Sequence, residues 1–371
     1  MTELATPSNS NQSMILLSRL LLAPKEGDES PSSDIAGLRS TIRRISRMEF
    51  EDLVALANSN HVVVRALELI LNILHEAKDE TRAEWALAAL ATERSRIETA
   101  LTYLKDVCNV IEAEGYDVAV IKSLDHWPDL GSDLDLYTNA KPGQISNLLR
   151  KRFHTEIASR SWGDRLACKW NFMIPGLPEA VEIHMGRLGQ TGEQVAIAAH
   201  LAERSRCVLV GDNLFRVPSV SDRLMISTLQ RMYRHFYFRL CDIVDSAALL
   251  ESGDVDYSEL RSSARAAGIW EGVATYLAIV SDYVKQYRGT GLDLPQFVLS
   301  SARFGGREIY YGHGFLRVPI VPQSVRLYSQ QLAGLLQRRE LYSGVRLSLL
   351  PWLATAAAVG QKITGSDKGI W

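Results

Sequence analysis

A short block of strand-like sequence lies between two long stretches that are patterned for helices, and this change of period limits the chain to folds that mix both elements. Apolar residues recur at helical spacing from Phe50 to Ala77, with a break at Asn58–His61, and the Ala- and Leu-rich run from Thr81 to Gly115 contains few helix breakers. Two strand-like runs follow, the β-branched Tyr116–Ser123 and the alternating Ser132–Asn139. We therefore expect an α+β fold, in which a small mixed β-sheet is flanked by N-terminal and C-terminal helical regions.

Further along the chain, the pattern predicts the rest of the sheet and a return to helices. The run Lys141–His154 is typical of a helix that begins at Pro142. Lys169–Pro175 and Ala180–Leu188 are the next strand candidates. From Ser219 to Gly253, a serine cap and a long apolar period predict one extended helix.

These patterns divide the chain into four segments. Residues 25–38 are rich in Ser, Asp, Glu, Gly and Pro, a composition typical of a linker, and the Gly-rich run Ser301–Pro319 is expected to be a connecting loop. The predicted division is a flexible N-terminal segment over residues 1–38, an N-terminal helical region over 39–115, an α/β core over 116–217 and a C-terminal helical region over 218–371.

The charge balance and the cysteines argue against several classes of function. A formal net charge of −2 lacks the basic surplus that a nucleic-acid coat needs, so we do not expect nucleic acid as a partner. The four cysteines, Cys108, Cys168, Cys207 and Cys241, show neither a CxxC pair nor the spacing of a zinc module. This usage favours a reducing, cytoplasmic environment over a disulfide framework.

Two apolar runs near the ends of the chain raise the question of membranes. The run from Met14 to Leu22 is interrupted by Arg19 and lacks a cleavage-site pattern, so it does not predict a signal peptide. The run from Leu347 to Gly360 contains Pro351 and is shorter than the ~20 residues that a membrane span needs. We expect no transmembrane segment; the C-terminal run is expected to be a covered helix, with peripheral membrane contact as the alternative.

The run DLDLY contains the feature that bears most on function. Side chains alternate across a strand, so Asp133 and Asp135 point to one face while Leu134 and Leu136 point to the other. Two like charges held this close repel each other unless a cation lies between them, and carboxylates that converge in this way suit Mg²⁺. The alternative is a solvated strand face without a metal.

Residues on both sides of this pair favour the metal interpretation. The strand candidate before it ends in Lys122 and Ser123, where a small residue lets backbone N–H groups approach phosphate oxygens and where the lysine suits a phosphate. The strand candidate after it, AVEIHM, offers Glu182 as a third acidic group. His184 shares the strand face of Glu182 and is expected to be a structural histidine.

Several pieces of the sequence, taken in order, resemble a known family. They are FEDLVALANSNHVVV, the long helix that leads to AEGYDVAVIKS, then GSDLDLY, VEIHM and RLCDIVDSAALL. Their order and spacing, over residues 45–250, are similar to those of uncharacterised bacterial nucleotidyltransferases of the polymerase β-like superfamily. The resemblance implies a nucleotidyltransferase core over residues 116–217, with a nucleoside triphosphate (NTP) as substrate.

The same resemblance implies a role for individual residues. Ser123 stands at the position of a turn glycine with Lys122 before it, and both are expected to bind nucleotide. Asp133 and Asp135 are expected to be catalytic metal carboxylates, with Glu182 as the third, which orients or deprotonates the attacking hydroxyl. The implied cofactor is Mg²⁺, with Mn²⁺ as the alternative.

One departure from the family pattern concerns triphosphate binding. The family commonly has an arginine shortly before its aspartate pair, and residues 124–132 contain none. Arg231, Arg234 and His235 fall on neighbouring turns of a predicted helix, where their spacing allows them to share a face and clamp phosphate. A solvated basic stripe is the alternative interpretation of these residues.

The sequence as a whole predicts a cytoplasmic, Mg²⁺-dependent nucleotidyltransferase. It would transfer a nucleoside monophosphate from an NTP to an acceptor and release pyrophosphate. The acceptor class stays open among small molecules, saccharides, peptides and proteins. The alternative function is a catalytically decayed nucleotide-binding or protein-interaction module of the same fold.

Overall fold

The N-terminal region consists of packed helices in the computed structural model, which describes residues 7–22, 32–353 and 355–356. The expected break between two helices is confirmed at Asn60 and His61, where His61 has a φ of 54°. The long run that follows forms a single helix and ends before Gly115, whose φ of 80° turns the chain away. The helices are α1 (Pro7–Leu22), α2 (Ser32–Arg44), α3 (Arg47–Ser59), α4 (Val63–Glu76) and α5 (Glu80–Ala113).

Part of the segment that was expected to be flexible, residues 1–38, is helical. Met14 and Leu17 of α1 are buried. The Ser18 hydroxyl lies 2.8 Å from the hydroxyl of Tyr283, which is far away in the sequence. The partners that cover α1 belong to distant parts of the chain, and local composition does not reveal them.

A five-stranded mixed sheet forms the centre of the fold and has the strand order β1-β2-β5-β4-β3. Strands β2 and β5 are parallel, whereas the other neighbours are antiparallel. The α+β class, with a small mixed sheet between two helical regions, is confirmed. The elements are β1 (Val118–Val120), β2 (Asp133–Thr138), α6 (Pro142–Phe153), β3 (Glu156–Ile157), α7 (Trp162–Ala167), β4 (Lys169–Met173) and β5 (Ala180–Met185).

The alternation along β2 is the one that the sequence predicts. Leu134 and Leu136 are fully buried in the core, so Asp133 and Asp135 are presented on the opposite face. On β5, Val181 and Ile183 are likewise fully buried, which turns Glu182 toward the aspartate face.

A helix and a hairpin that the sequence patterns did not predict complete the core. The hairpin turns at Gly211, whose φ of 56° lies in the left-handed region that glycine tolerates. Phe215 is buried, and its strand packs against β1. These elements are α8 (Val195–His200), β6 (Arg206–Val210) and β7 (Asn213–Val217).

The prediction of one helix from Ser219 to Gly253 is wrong. The helix loosens into a π-turn over Arg231–His235 and stops at Phe236, whose φ is 55°. A short strand follows because its residues find partners far along the chain: the Tyr237 ring stacks on Phe315 at a centroid distance of 4.6 Å. The elements are α9 (Val220–Gln230), β8 (Tyr237–Phe238) and α10 (Leu240–Glu251).

The run Ser301–Pro319, expected to be only a connecting loop, contains two strands that pair with each other, and the second of them also pairs with β8. Its Leu316 is the register partner of Phe238, and the three strands form a second small sheet. The strands are β9 (Tyr310–Gly312) and β10 (Phe315–Arg317).

Helices make up most of the remaining C-terminal region. Leu347, in the apolar run at the C-terminus, is buried, whereas Trp352 is 76% exposed, so only part of the described run is covered. Residues 354 and 357–360 of that run lie outside the described residues. Among the described helices, none has the length and apolar character that crossing a membrane requires. The helices are α11 (Tyr257–Ala266), α12 (Trp270–Arg288), α13 (Gln296–Leu299), α14 (Val325–Gln337) and α15 (Leu341–Ser348).

Candidate active site

A cavity of about 220 Å³ lies between the central sheet and the chain that links α9 to α10. Every residue that the sequence suggested for catalysis, metal binding or nucleotide binding lines this cavity. The fold thus brings together groups from three separate parts of the chain, although their roles stay predictions. These residues are Lys122, Ser123, Asp133, Asp135, Glu182, Arg231, Arg234 and His235.

Three carboxylates converge on one wall of the cavity. The parallel register of β2 and β5 places Asp135 directly beside Glu182, and both side chains are buried. Asp133 lies two residues earlier on the same face and is exposed. Its carboxylate forms no hydrogen bond or ion pair with any residue that the structure describes, so it is available to a ligand.

Two lysines, the partly buried Lys122 and the buried Lys169, balance the charge of the other two carboxylates. The Lys122 ammonium forms an ion pair with Asp135 and lies 3.4 Å from Glu182 Oε1. The Lys169 ammonium lies 2.8 Å from Glu182 Oε2 and 2.8 Å from Asp164 Oδ1. Lys122, expected to contact phosphate, is therefore held by carboxylates in this structure.

The turn that carries Lys122 has an unusual backbone conformation. Lys122 has a φ of 61° and a ψ of −59°, and the Ser123 N–H donates to the Ile121 carbonyl at 2.6 Å, which defines a γ-turn. A non-glycine residue with this φ is strained, and such strain persists only where the surroundings fix it. The left-handed position thus belongs to Lys122 and not to Ser123.

The Ser123 hydroxyl fixes this turn to β2. It accepts a hydrogen bond from the Asp135 backbone N–H at 2.8 Å and donates to the Asp133 carbonyl at 3.1 Å. The side chain that was expected to allow close approach of phosphate is thus buried and engaged with the strand that carries the aspartates.

The two buried carboxylates, Asp135 and Glu182, have pKa values that are shifted in opposite directions. Burial raises the pKa of Asp135 to about 7. The negative charge of Glu182 also raises this pKa, whereas the Lys122 ammonium lowers it. Burial also opposes ionisation of Glu182, yet Lys122 and Lys169 hold the pKa of Glu182 well below its usual range. Burial lowers the pKa of His184 to about 4, so its imidazole is neutral near physiological pH, and its Nε2 lies 2.9 Å from Glu182 Oε1.

The opposite wall of the cavity is basic, but its predicted members differ in their surroundings. Arg231 is buried, and its Nε lies 2.7 Å from the Asp242 carboxylate, which fixes this guanidinium to α10. Arg234 is partly exposed and forms no ion pair with the described residues. Burial and the neighbouring Arg234 hold the pKa of His235 well below its usual range, so its imidazole is neutral. Arg234 is thus the predicted residue most available to an anion.

Further residues of the cavity were not predicted from the sequence. Lys169 is the first residue of β4, and the sequence pattern of this strand gives no sign that the Lys169 ammonium faces Glu182. Arg239 and His61 also line the cavity, from the start of α10 and the α3–α4 turn. His61, Lys169 and Arg239 are far apart in the sequence and follow no recognisable motif, so their proximity is seen only in the folded chain.

The acidic wall has the donor set that a hard divalent cation prefers, namely carboxylate oxygens. Ligand atoms of Asp135, Glu182 and His184 lie within 4.8 Å of one another, and the Asp133 carboxylate has no described partner. The Lys122 ammonium contacts the same carboxylates, so a cation and this ammonium would compete. The residues therefore fit a divalent cation when Lys122 moves off the acidic pair.

Comparisons with known proteins add little to this geometry. No family model matches the sequence, and no curated protein is significantly similar to it. Among solved structures, an antigenic nucleotidyltransferase-like protein from Paracoccidioides brasiliensis is 15% identical over 44% of this chain and 84% of that chain, with a TM-score of 0.30. Similarity at this level carries no assignment of function.

Proposed function

We propose that the cavity binds Mg²⁺, or Mn²⁺ in its place, together with an NTP and transfers a nucleoside monophosphate to an acceptor with release of pyrophosphate. The observation that carries this proposal is the register of β2 and β5, which sets Asp135 beside Glu182 with Asp133 on the same face. Three carboxylates on adjacent strands, opposite a basic wall, match the charges of a metal–triphosphate complex.

The acidic residues would hold the cation and the acceptor. Asp133, Asp135 and Glu182 supply oxygen ligands, and a bound divalent cation would neutralise charge on the triphosphate as the phosphoryl bond breaks. Because Lys122 and Lys169 keep the pKa of Glu182 low, Glu182 is better suited to orient the acceptor hydroxyl than to remove its proton.

The basic residues would hold the triphosphate. Lys122, once off the acidic pair, would remain in the cavity as a free ammonium, and Arg234 and Arg239 offer guanidinium groups that have no ion-pair partner among the described residues. These arginines would take the place of the one missing before Asp133. Positioning and charge neutralisation are the main requirements of phosphoryl transfer, and this wall supplies both.

The described cysteines are all free thiols, which agrees with a cytoplasmic location, where NTPs are abundant. The acceptor is a small molecule, a saccharide, a peptide or a protein. The residues that line the cavity do not select among these classes.

A direct test is incubation of the full chain with α-labelled NTPs, Mg²⁺ and cell extract, followed by measurement of pyrophosphate and of labelled products. Label transfer that is lost in Asp133→Asn/Asp135→Asn supports the proposal. Arg307→Gln is a suitable control because Arg307 is outside the cavity lining. Label transfer that survives the double substitution contradicts the proposal.

One observation favours a second function, that of a catalytically decayed module. Lys122 and Lys169 already balance the charges of Asp135 and Glu182, so this part of the acidic wall is complete without a metal. A decayed module would bind nucleotide without Mg²⁺ through the basic wall and would release no pyrophosphate. Binding that is independent of both Mg²⁺ and Asp135 identifies this second function.

A further inference from the structure

A second cluster of potential metal ligands lies next to the acidic site and shares no residue with it. His61 is at the turn between α3 and α4, His126 is in the single helical turn Ser123–His126, and Cys241 is in the first turn of α10. All three side chains are buried, and one ligand atom from each lies within 4.8 Å of the others. The Cys241 Sγ is 4.0 Å from His126 Nε2.

The orientation of His126 is fixed from behind. Its Nδ1 lies 2.5 Å from Asp245 Oδ2, and the other oxygen of Asp245 lies 2.6 Å from an Arg65 nitrogen. This contact directs Nε2 of His126 toward Cys241. A carboxylate behind one nitrogen of an imidazole is the usual support of a metal-binding histidine, because it fixes the ring and raises the basicity of the other nitrogen.

His61 supplies an independent sign that the cluster lacks a ligand. The residue is only 8% exposed, and its buried Nδ1 has no hydrogen-bond partner among the described residues. A buried ring nitrogen without a partner costs free energy. The neighbouring chain leaves room for this ring, since a Cβ atom added to Gly131 would lie 3.0 Å from His61 Nδ1.

We propose that His61, His126 and Cys241 bind a transition-metal ion of the Zn²⁺ class. Nitrogen and sulfur donors suit this class, whereas the neighbouring carboxylates suit Mg²⁺. Ligand atoms around tetrahedral zinc lie roughly 3.5 Å apart, so each separation within the cluster would shorten by at most about 1.3 Å when the ion binds. The Cys241 thiol loses its proton to solvent on binding, and the sulfur then donates to the metal.

The position of this site indicates its consequence. His61 and His126 also line the cavity, so a metal held by them would lie at the edge of this cavity, near the acidic wall. A bound ion would tie the α3–α4 turn to the β1–β2 connection and to α10, and so join all three regions of the fold. This inference is independent of the proposed nucleotidyl transfer.

Cobalt is the probe for the test because a thiolate bound to Co²⁺ gives a charge-transfer band in the near ultraviolet. The full chain, treated with a chelator, is titrated with Co²⁺. We expect one equivalent to bind with this band, and Cys241→Ser to abolish it. Cys108→Ser is the matched control, since Cys108 is also buried but lies on α5, outside the cluster.

Two further arms separate metal binding from misfolding and from the acidic site. Zn²⁺ should raise the Tm of the wild type and of Asp133→Asn/Asp135→Asn, but not that of His61→Gln, which keeps the cysteine. Retention of the cobalt band in Cys241→Ser, its absence in the wild type, or an equal Zn²⁺ effect on the Tm of His61→Gln would each overturn the proposal.

Discussion

Asp135 and Glu182 are register partners on the parallel strands β2 and β5, and their buried carboxylates face one cavity. Two carboxylates so placed repel each other unless a cation lies between them. In this structure the cation is the ammonium of Lys122. A divalent ion can therefore bind these two carboxylates only in competition with this ammonium.

Substitution of Lys122 by methionine tests this competition. Because the change leaves two buried carboxylates with Lys169 alone, we expect the free energy of unfolding to fall by about 3 kcal/mol. Saturating Mg²⁺ should recover more of the stability of Lys122→Met than it adds to the wild type. Urea unfolding with and without Mg²⁺ measures both effects, with the exposed Lys141→Met as control. An equal Mg²⁺ effect in Lys122→Met and the wild type contradicts the competition.

The Ser123 hydroxyl is predicted to matter for stability more than for chemistry. Ser123→Ala removes the acceptor of the Asp135 N–H and leaves this buried amide unpaired, so we expect a loss of about 1–3 kcal/mol in the free energy of unfolding. Ser132→Ala, at an exposed serine on the same β1–β2 connection, is the control and should change the free energy of unfolding little. Equal unfolding midpoints for the two variants would show that the hydroxyl does not hold the turn.

Arg231 and Arg234 lie three residues apart, and we predict opposite consequences for them. Arg231→Gln leaves the Asp242 carboxylate buried without its partner, so the Tm should fall sharply. Arg234→Gln should leave the Tm nearly unchanged and weaken NTP binding by about tenfold, as expected for loss of a charged hydrogen bond. Thermal unfolding and nucleotide titration of both variants separate the two roles. Unchanged NTP affinity in Arg234→Gln removes this residue from the site.

Binding of Mg²⁺ is predicted to depend on pH near neutrality. The metal needs the ionised form of Asp135, and burial raises the pKa of this carboxyl to about 7. As the pH falls below this value a proton competes with the metal, so the Mg²⁺ affinity should weaken by about tenfold per pH unit. Above this value the affinity should level off. NTP titrations with and without Mg²⁺ across this range provide the measurement, and the Mg²⁺-free series corrects for protonation of the triphosphate. A flat profile contradicts the role of Asp135.

The parts of the site that lie on β2 and β5 could be predicted because their signal is local. Alternation in DLDLY and in AVEIHM fixes which side chains share a face, and the structure places Asp133, Asp135 and Glu182 accordingly. The end of the α5 helix and the start of α6 at Pro142 were predictable for the same reason, since Gly115 and Pro142 act within their own turns.

Features that depend on distant partners could not be predicted in this way. The stop at Phe236 depends on a strand that pairs with residues near position 316, and the helical period of the sequence continues through it. Lys122 looked like a phosphate ligand because the pattern does not show that its ammonium meets Glu182. The cluster of His61, His126 and Cys241 joins positions that are far apart in the sequence, where no ligand spacing can be recognised.

Isothermal titration calorimetry with each NTP, with and without Mg²⁺, measures whether nucleotide binding depends on a metal held by the acidic wall. We predict that one NTP binds the wild type more tightly with Mg²⁺ present, and that Asp133→Asn/Asp135→Asn loses this Mg²⁺-dependent gain while retaining its fold. Nucleotide binding of equal affinity with and without Mg²⁺, unaffected by the double substitution, would contradict a metal-dependent site at these carboxylates.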